Sequence, residues 1–367
     1  MNRPTASRFS ALLLGLLVVP CAGCAAEPPP PPSPPTVTAA ARKAPPPPEV
    51  KPVAAPEPAA PPVDDRFAKV TIEVQKVSGN VYMLKGAGGN IAVLVGDDGI
   101  VIVDDQFAPL APKIRAALKG ISDKPVKFVV NTHWHGDHTG GNVAFSNEAS
   151  IVAHENVRKR LLEGRPAIEI AGKTRDPIPP APKEALPIVT FEDSVSIHVN
   201  GEDIRAIHVP HGHTDGDSLV YFPHANVVHM GDDFTMEGFP FIDVASGGSV
   251  RGLVGAIDKA VALLPADVKV IPGHGTLSTL DDVKKFSAAV KDVVKIVDAE
   301  VKKKKTLEQL KAQKVIAKYD DLGKGFITTD SFLETVYKEL TAPPAAPTKP
   351  AGAAPPAKPA TTPTPAH

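Results

Sequence analysis

An α/β fold is predicted for the stretch from Asp64 to Ala342 on three observations. Short β-branched runs alternate there with turn residues, longer segments keep helical spacing, and the chemically richest residues fall just past the ends of the runs. The first half is strand-rich: "VTIEVQKV", "VYMLK", "IAVLVG" and "GIVIVDD" are parted by Gly, Asn and Asp. "PLAPKIRAALKG" then predicts a helix with proline at its start and glycine at its end. "VKFVVNT" predicts a further buried strand. The second half repeats the plan, with strands at "SVSIHV", "DIRAIHVP", "SLVYFP" and "NVVHMG", a helix near 249–264, and "VKVIPGHG" as a strand running into a loop. Val283, Phe286, Val290, Val293, Val294 and Val297 share one helical face, so 280–303 is expected to be an amphipathic helix. Lys302 to Lys305 at its end are expected to be a solvated face.

Composition bounds the rest of the 367 residues. Of 41 prolines, 16 lie between Pro28 and Pro62 and 9 after Ala342. Residues 25–63 therefore read as a Pro/Ala-rich linker and 343–367 as a low-complexity Pro/Ala/Thr tail, neither with enough apolar surface for a core. The formal net charge is -1 and no basic block stands beyond Lys302 to Lys305, so no nucleic-acid partner is expected. Arg3, Arg8 and "ALLLGLLVV" predict an export signal over 1–24, whose apolar run is too short to span a bilayer. Both cysteines, Cys21 and Cys24, sit at its end, which leaves the folded stretch without thiolate ligands or disulfides. "CAGC" resembles the bacterial lipobox, departing from it at Cys21, where leucine is usual. That resemblance implies a lipid on Cys24 as the membrane contact, and Ala25 and Ala26 after it imply a periplasmic, outer-membrane address.

"NTHWHGDHTGGN" places three of the chain's 12 histidines and Asp137 within six positions, 133 to 138. Imidazoles and a carboxylate that can offer lone pairs to one point are what a transition metal needs. Three later loops add His213 in "VPHGHTDGDS", Asp232 in "HMGDD" and His274 in "IPGHG". Each follows a predicted strand, and strand ends converge on one edge of a sheet. Nitrogen and oxygen donors without thiolate favour zinc and are compatible with iron or manganese. Asp233 is the rival to Asp232. His211 and His229 are expected to have orienting or surface roles, and His154, His198, His208 and His224 no chemical one. Trp134 either walls a pocket or packs in the core. "MEGFPFIDVASGGSV" is expected to shape the pocket, with Ser246 or Ser249 capping a helix whose start is alternatively an anion site.

The order HxHxDH, GHT, GD and PGHG resembles the metallo-β-lactamase superfamily over nearly all of Asp64 to Ala342. "TLEQLKAQKVIAKYDDLGKGFITTDSFLETVYKEL" is similar to the helical tail of a bacterial branch often described as cyclase-like or sulfur-oxidation-associated hydrolases. The resemblance implies a four-layer αββα sandwich with extra C-terminal helices and two zinc ions per chain. His133, His135 and His213 would hold the first metal, Asp137, His138 and His274 the second, and Asp232 would bridge them. Three imidazoles leave a fourth position for a water whose pKa falls to about 7, and a second metal ~3.5–4 Å away shares the hydroxide. The activity implied is cleavage of an acyl bond (ester, thioester or lactam) in a small-molecule substrate, with Asp137 holding the second metal and carrying a proton. The best-known zinc β-lactamases have cysteine where Asp232 stands, which counts against a β-lactamase proper. The same motifs also accommodate a mononuclear iron oxygenase like the persulfide dioxygenases, or a non-catalytic metal-binding protein.

Overall fold

The computed structural model describes residues 65–170 and 173–342; the export signal with Cys24, the linker and the 343–367 tail lie outside the described residues. The first half forms a seven-stranded sheet from β1 (Glu73–Ser78), β2 (Val81–Lys85), β3 (Ile91–Leu94), β4 (Ile100–Val103), β5 (Val126–Val130) and β6 (Ser150–His154). A separate hairpin of β7 (Ile168–Ile170) and β8 (Lys173–Arg175) follows, and β9 (Val189–Phe191) completes the sheet beside β6. Pairing is antiparallel up to β4 and parallel from β4 through β5 and β6 to β9. The second sheet has six strands in chain order: β10 (Ser194–Val199), β11 (Glu202–His208), β12 (Ser218–Phe222), β13 (Val227–His229), β14 (Lys269–Ile271) and β15 (Ser278–Thr279). Only its β13–β14 pair is parallel.

Alternation within single strands sets the layers. In β4, Ile100 and Ile102 pack with Ile114 and Leu118 of the helix Ala111–Lys119. Val101 and Val103 point the other way, into a core shared with Val220, Phe222 and Ile271 of the second sheet. Both faces are buried, which is why "IVIV" reads as an unbroken apolar run. On the outer face of the second sheet, Leu219, Val228 and Val270 pack against two helices, Val250–Leu263 and Leu280–Lys302. The order helix, sheet, sheet, helix is the expected αββα sandwich. Leu280–Lys302 starts with a capping box between Thr279 and Asp282, followed by acidic residues that complement the helix dipole. Two further helices, Leu307–Ala312 and Thr329–Thr341, add Leu310, Phe332, Leu333 and Val336 to the same core. Lys302 pairs with Asp298, and Lys303 and Lys305 with Glu300, a solvated face as expected. Among the described residues no helix is long and apolar enough to cross a membrane.

The structure adds to the sequence reading, or differs from it, in three places. The first strand begins at Glu73, not Val70. Residues 142–193, which carry no strong period, hold β6, a helix at Glu155–Glu163, the β7–β8 hairpin and β9. Trp134 is 2% exposed and packs with Ala153, Val157 and Leu161, so it belongs to a core.

His154 and His208 stack with ring centroids 3.7 Å apart. Burial first, and the charge of His154 second, push His208 down to about 4. As pH falls below about 6.5 the unfolded chain takes up a proton at His208 that the folded chain refuses until about pH 4. The stability this group contributes is therefore complete above that window and is lost across it. Thermal unfolding between pH 7 and 4 should show a decline that is shallower in His208→Gln. An equal slope in both proteins would put the acid sensitivity elsewhere.

Candidate metal centre

Seven side chains delivered by the two sheets meet at one edge. The loop after β5 carries His133, His135, Asp137 and His138, the last two on the short helix Gly136–Thr139. His213 follows β11, Asp232 follows β13 and His274 follows β14. His133, His135, His213 and Asp232 each aim one donor atom at a common point, with those atoms within 4.8 Å of one another; Asp137, His138 and His274 do the same beside them. His213 Nε2 lies 2.8 Å from His135 Nδ1, and His138 Nε2 lies 3.3 Å from His274 Nε2. Asp232 faces both groups, with Oδ2 3.6 Å from His213 Nε2 and Oδ1 3.2 Å from His138 Nε2. Its rival Asp233 turns away and accepts a hydrogen bond from His213 N at 3.0 Å.

The outer ring nitrogens decide what the inner ones offer. His135 Nε2 lies 2.9 Å from Asp243 Oδ2, His138 Nδ1 2.7 Å from Asp104 Oδ2, and His213 Nδ1 2.7 Å from the Phe241 carbonyl. Those partners only accept, so the outer nitrogens carry hydrogen and the inner ones present lone pairs. His133 Nε2 is buried with no hydrogen-bond partner among the described residues. Lone pairs converging at such distances, beside two carboxylates, fit a metal ion in each group. Against burial, the charges of Asp232, Asp137 and Asp104 hold His138 well above its ordinary value. Asp232 beside it, working against burial, pushes His274 up to about 10. Burial raises the Asp137 carboxyl, but His138 and His274 bring it down to about 2. Without metal, protons stand where the second cation would, so metal binding releases protons and strengthens as pH rises.

Supporting residues were less visible in the sequence than the donors. Asp104, at the end of "GIVIVDD", adopts φ +64° and also accepts from Thr132 N and Oγ1, both at 2.8 Å. Asp243 accepts from Ser246 Oγ at 2.6 Å as well as facing His135. Asp104→Asn should weaken metal binding by roughly 10- to 100-fold, because the ring it orients loses a fixed tautomer. Competition against a chromophoric chelator measures this, and unchanged affinity would deny Asp104 the role. Two glycines are required by close approach: a Cβ on Gly89 would collide with the His138 ring, and one on Gly273 with Asp232 Oδ1.

The remaining sequence candidates take structural places. Ser249 caps the helix Val250–Leu263, as Ser249 Oγ accepts from Gly252 N. Glu339 fills the rest of that helix start, 2.5 Å from Val250 N and 3.2 Å from Arg251 N, so the chain supplies its own anion there. His229 is buried, donates to Asn90 O at 2.9 Å and accepts from Gly231 N at 3.0 Å, which orients the turn carrying Asp232. His211 is exposed, with its ring 2.9 Å from Gly247 O. In front of the seven donors opens a cavity of about 630 Å³, reached by His135, Asp137, Asp232 and His274 and walled by Phe107, Phe239, Phe241 and Phe326.

Fold and donor set together place a candidate metal site of two adjoining donor groups at the edge of an αββα sandwich. The chain belongs to the metallo-β-lactamase superfamily, whose sequence profile matches residues 84–274. It is 27% identical over 165 residues to the 2,4-dinitroanisole O-demethylase subunit alpha of Nocardioides sp., covering 44% of this chain and 46% of that one. It is 26% identical to a linear primary-alkylsulfatase of Pseudomonas sp. (48% and 40% covered) and 27% identical to a hydroxyacylglutathione hydrolase of Nitrosococcus oceani (40% and 47%). The chain thus spans about half the length of these curated relatives. Among solved structures, a double mutant of the sec-alkyl sulfatase PisA1 shares the fold, with TM-score 0.55 and 16% identity, over 74% of this chain and 50% of that one.

Proposed function

We propose that residues 64–342 form a metal-dependent hydrolase that cleaves an acyl bond (ester, thioester or lactam) in a small molecule. The observation that carries this reading is the complete second group, Asp137, His138 and His274, joined to the first through Asp232 and open to the cavity. When bound, two zinc ions supply a hydroxide poised near neutral pH and positive charge for the developing oxyanion. His133, His135 and His213 would hold one ion and Asp137, His138 and His274 the other, with the Asp232 carboxylate facing both groups. Asp104, Asp243 and the Phe241 carbonyl fix the ring orientations. The phenylalanine walls exclude bulk water from the reacting bond. Water adds its oxygen to the acyl carbon, the bond to the leaving group breaks, and the leaving group receives the proton, for which Asp137 at the cavity face is the carrier. Hydrolase names among the relatives support the general class. The test is a panel of an aryl ester, an acyl lactone, an acyl-glutathione thioester, a chromogenic cephalosporin and an alkyl sulfate, with zinc-, manganese- and iron-loaded protein. Metal-dependent cleavage of an acyl substrate supports the proposal. Cleavage of the alkyl sulfate alone, or oxygen uptake on a persulfide by the iron form, overturns it.

The proposal extends to place: an exported protein held in the periplasm by a lipid on Cys24. Its support is the sequence of residues 1–26. Palmitate labelling that vanishes in Cys24→Ser is the expected result, and equal labelling of both would refute it.

A further inference from the structure

Two residues at the cavity mouth have no part in holding metal and are brought there from distant places in the chain. Arg175 stands on β8, in the hairpin that neither sheet incorporates. Phe326 comes from the turn before Thr329–Thr341, beyond the residues that the family profile matches. The two are in contact, with the guanidinium carbon 5.0 Å from the Phe326 ring centroid. Phe326 in turn stands edge-on to Phe241, centroids 6.2 Å apart at 89°, and Phe241 packs over His135 at 5.8 Å. A continuous path therefore leads from a cation at the rim, along two aromatic faces, to a proposed metal ligand.

Neither residue is explained by folding. Phe326 is 63% exposed, an unusual position for a phenylalanine held in a fixed turn. The turn itself is well fixed: Phe239 N donates to Leu322 O at 2.9 Å, and a Cβ on Gly325 would collide with the Glu237 carbonyl. Arg175 forms no ion pair among the described residues, and its Nε is shielded from water without a hydrogen-bond partner. A shielded, unpaired guanidinium donor is costly unless something completes it. Arg165 lines the same cavity from the base of the hairpin, where its backbone exchanges hydrogen bonds with Ile178 at 2.7 and 2.8 Å. Of the four carboxylates there, Asp137 and Asp232 face the donor groups, Asp243 faces His135, and the exposed Glu237 forms no ion pair with Arg175 among the described residues.

We propose that Arg175 and Phe326 form a substrate jaw, and that the substrate is an amphipathic anion: an apolar chain or ring with a carboxylate remote from the bond that is cleaved. Phe326 and Phe241 hold the apolar body and Arg175 pairs with the carboxylate through its fork of donors. This rests on the hydrolase reading for the reaction, but binding of the anion does not depend on it.

Two matched pairs of probes test the jaw. For turnover, 4-nitrophenyl hexanoate is compared with the mono-4-nitrophenyl ester of adipic acid, which differs by its terminal carboxylate. Arg175→Met should raise KM for the adipate ester by on the order of ten- to a hundredfold while leaving the hexanoate within about twofold. Phe326→Ala should raise KM for both esters several-fold. For binding, 4-phenylbutyrate is compared with 4-phenylbutanol by calorimetry on the protein as purified. The wild type should prefer the acid, and Arg175→Met should lose that preference. A preference retained in Arg175→Met would assign the anion to the metal ions and overturn the proposal. Equal losses on both members of each pair in Arg175→Met would make Arg175 merely structural and also overturn it. If neither ester turns over, the binding pair alone decides the jaw, and the hydrolase reading stands or falls separately on the wider panel of acyl substrates.

Discussion

Two equivalents of metal are expected per wild-type chain; Asp232→Ala should strip metal from both groups at once, whereas His211→Ala should leave the wild-type content unchanged. Asp232 is the one donor that faces both sets, through Oδ1 towards His138 and Oδ2 towards His213. Its own carboxyl, though raised by burial, is held well below the ordinary range by His274 and His138, so it is ionised wherever a metal is offered. Removing it leaves the two imidazole groups to repel each other's cations without an anion between them. His211 lies close in sequence to His213 but points to Gly247 at the surface. Elemental analysis after dialysis reads both proteins directly. Equal loss from the two substitutions would mean that the donor set is wrongly drawn. Metal uptake by the wild type should also release protons, because Asp232 holds His274 at about 10 in the free protein.

The second large effect is expected at Asp137. Asp137→Asn should lower kcat by roughly 10²- to 10⁴-fold, the span of a lost proton carrier. Two causes are separable here. The carboxylate lies 3.2 Å from His274 Nε2, where it would help to hold a second ion, and it also lines the cavity, where it would serve a leaving group that needs a proton. If its work is ligation alone, excess metal should restore turnover in the variant. If it carries the proton, saturating metal restores occupancy but leaves kcat low. A variant with wild-type kcat would remove Asp137 from the mechanism.

The strands were legible because their residues are β-branched and their ends are marked by glycine, asparagine or aspartate. VYMLK and SVSIHV begin and end where β2 and β10 do. The donors were legible because histidine is scarce and sits at strand ends. The sequence was silent over 142–193 for physical reasons. "SIVAH" is short and nearly all buried, so it has no alternation, while the helix Glu155–Glu163 shows only Val157 and Leu161 as a thin apolar stripe. The orienting residues were invisible for another reason. Asp104 and Asp243 reach their histidines across 34 and 108 positions, and a single aspartate beside a strand has no signature of its partner. Arg175 and Phe326 are separated in the same way: only the folded chain places a polar hairpin against a turn near its C-terminal helix.

The donors come in two parties, four from the loop after β5 in one sheet and three from loops of the other. Neither sheet can complete a group by itself: the first needs His213 and Asp232, the second needs His274. A bound metal would then be a rivet through the sandwich as well as an agent of the proposed chemistry, bound by the closed arrangement and not by sheets that have parted. Free-energy linkage makes this measurable without any substrate. An ion at a hundredfold excess over its dissociation constant would add about 2.7 kcal/mol to folding stability. Melting temperature against free metal concentration should accordingly rise for each ion that fits, and the rank order of zinc, manganese and iron on that scale gives their relative affinities for the folded state before the reaction itself has been found.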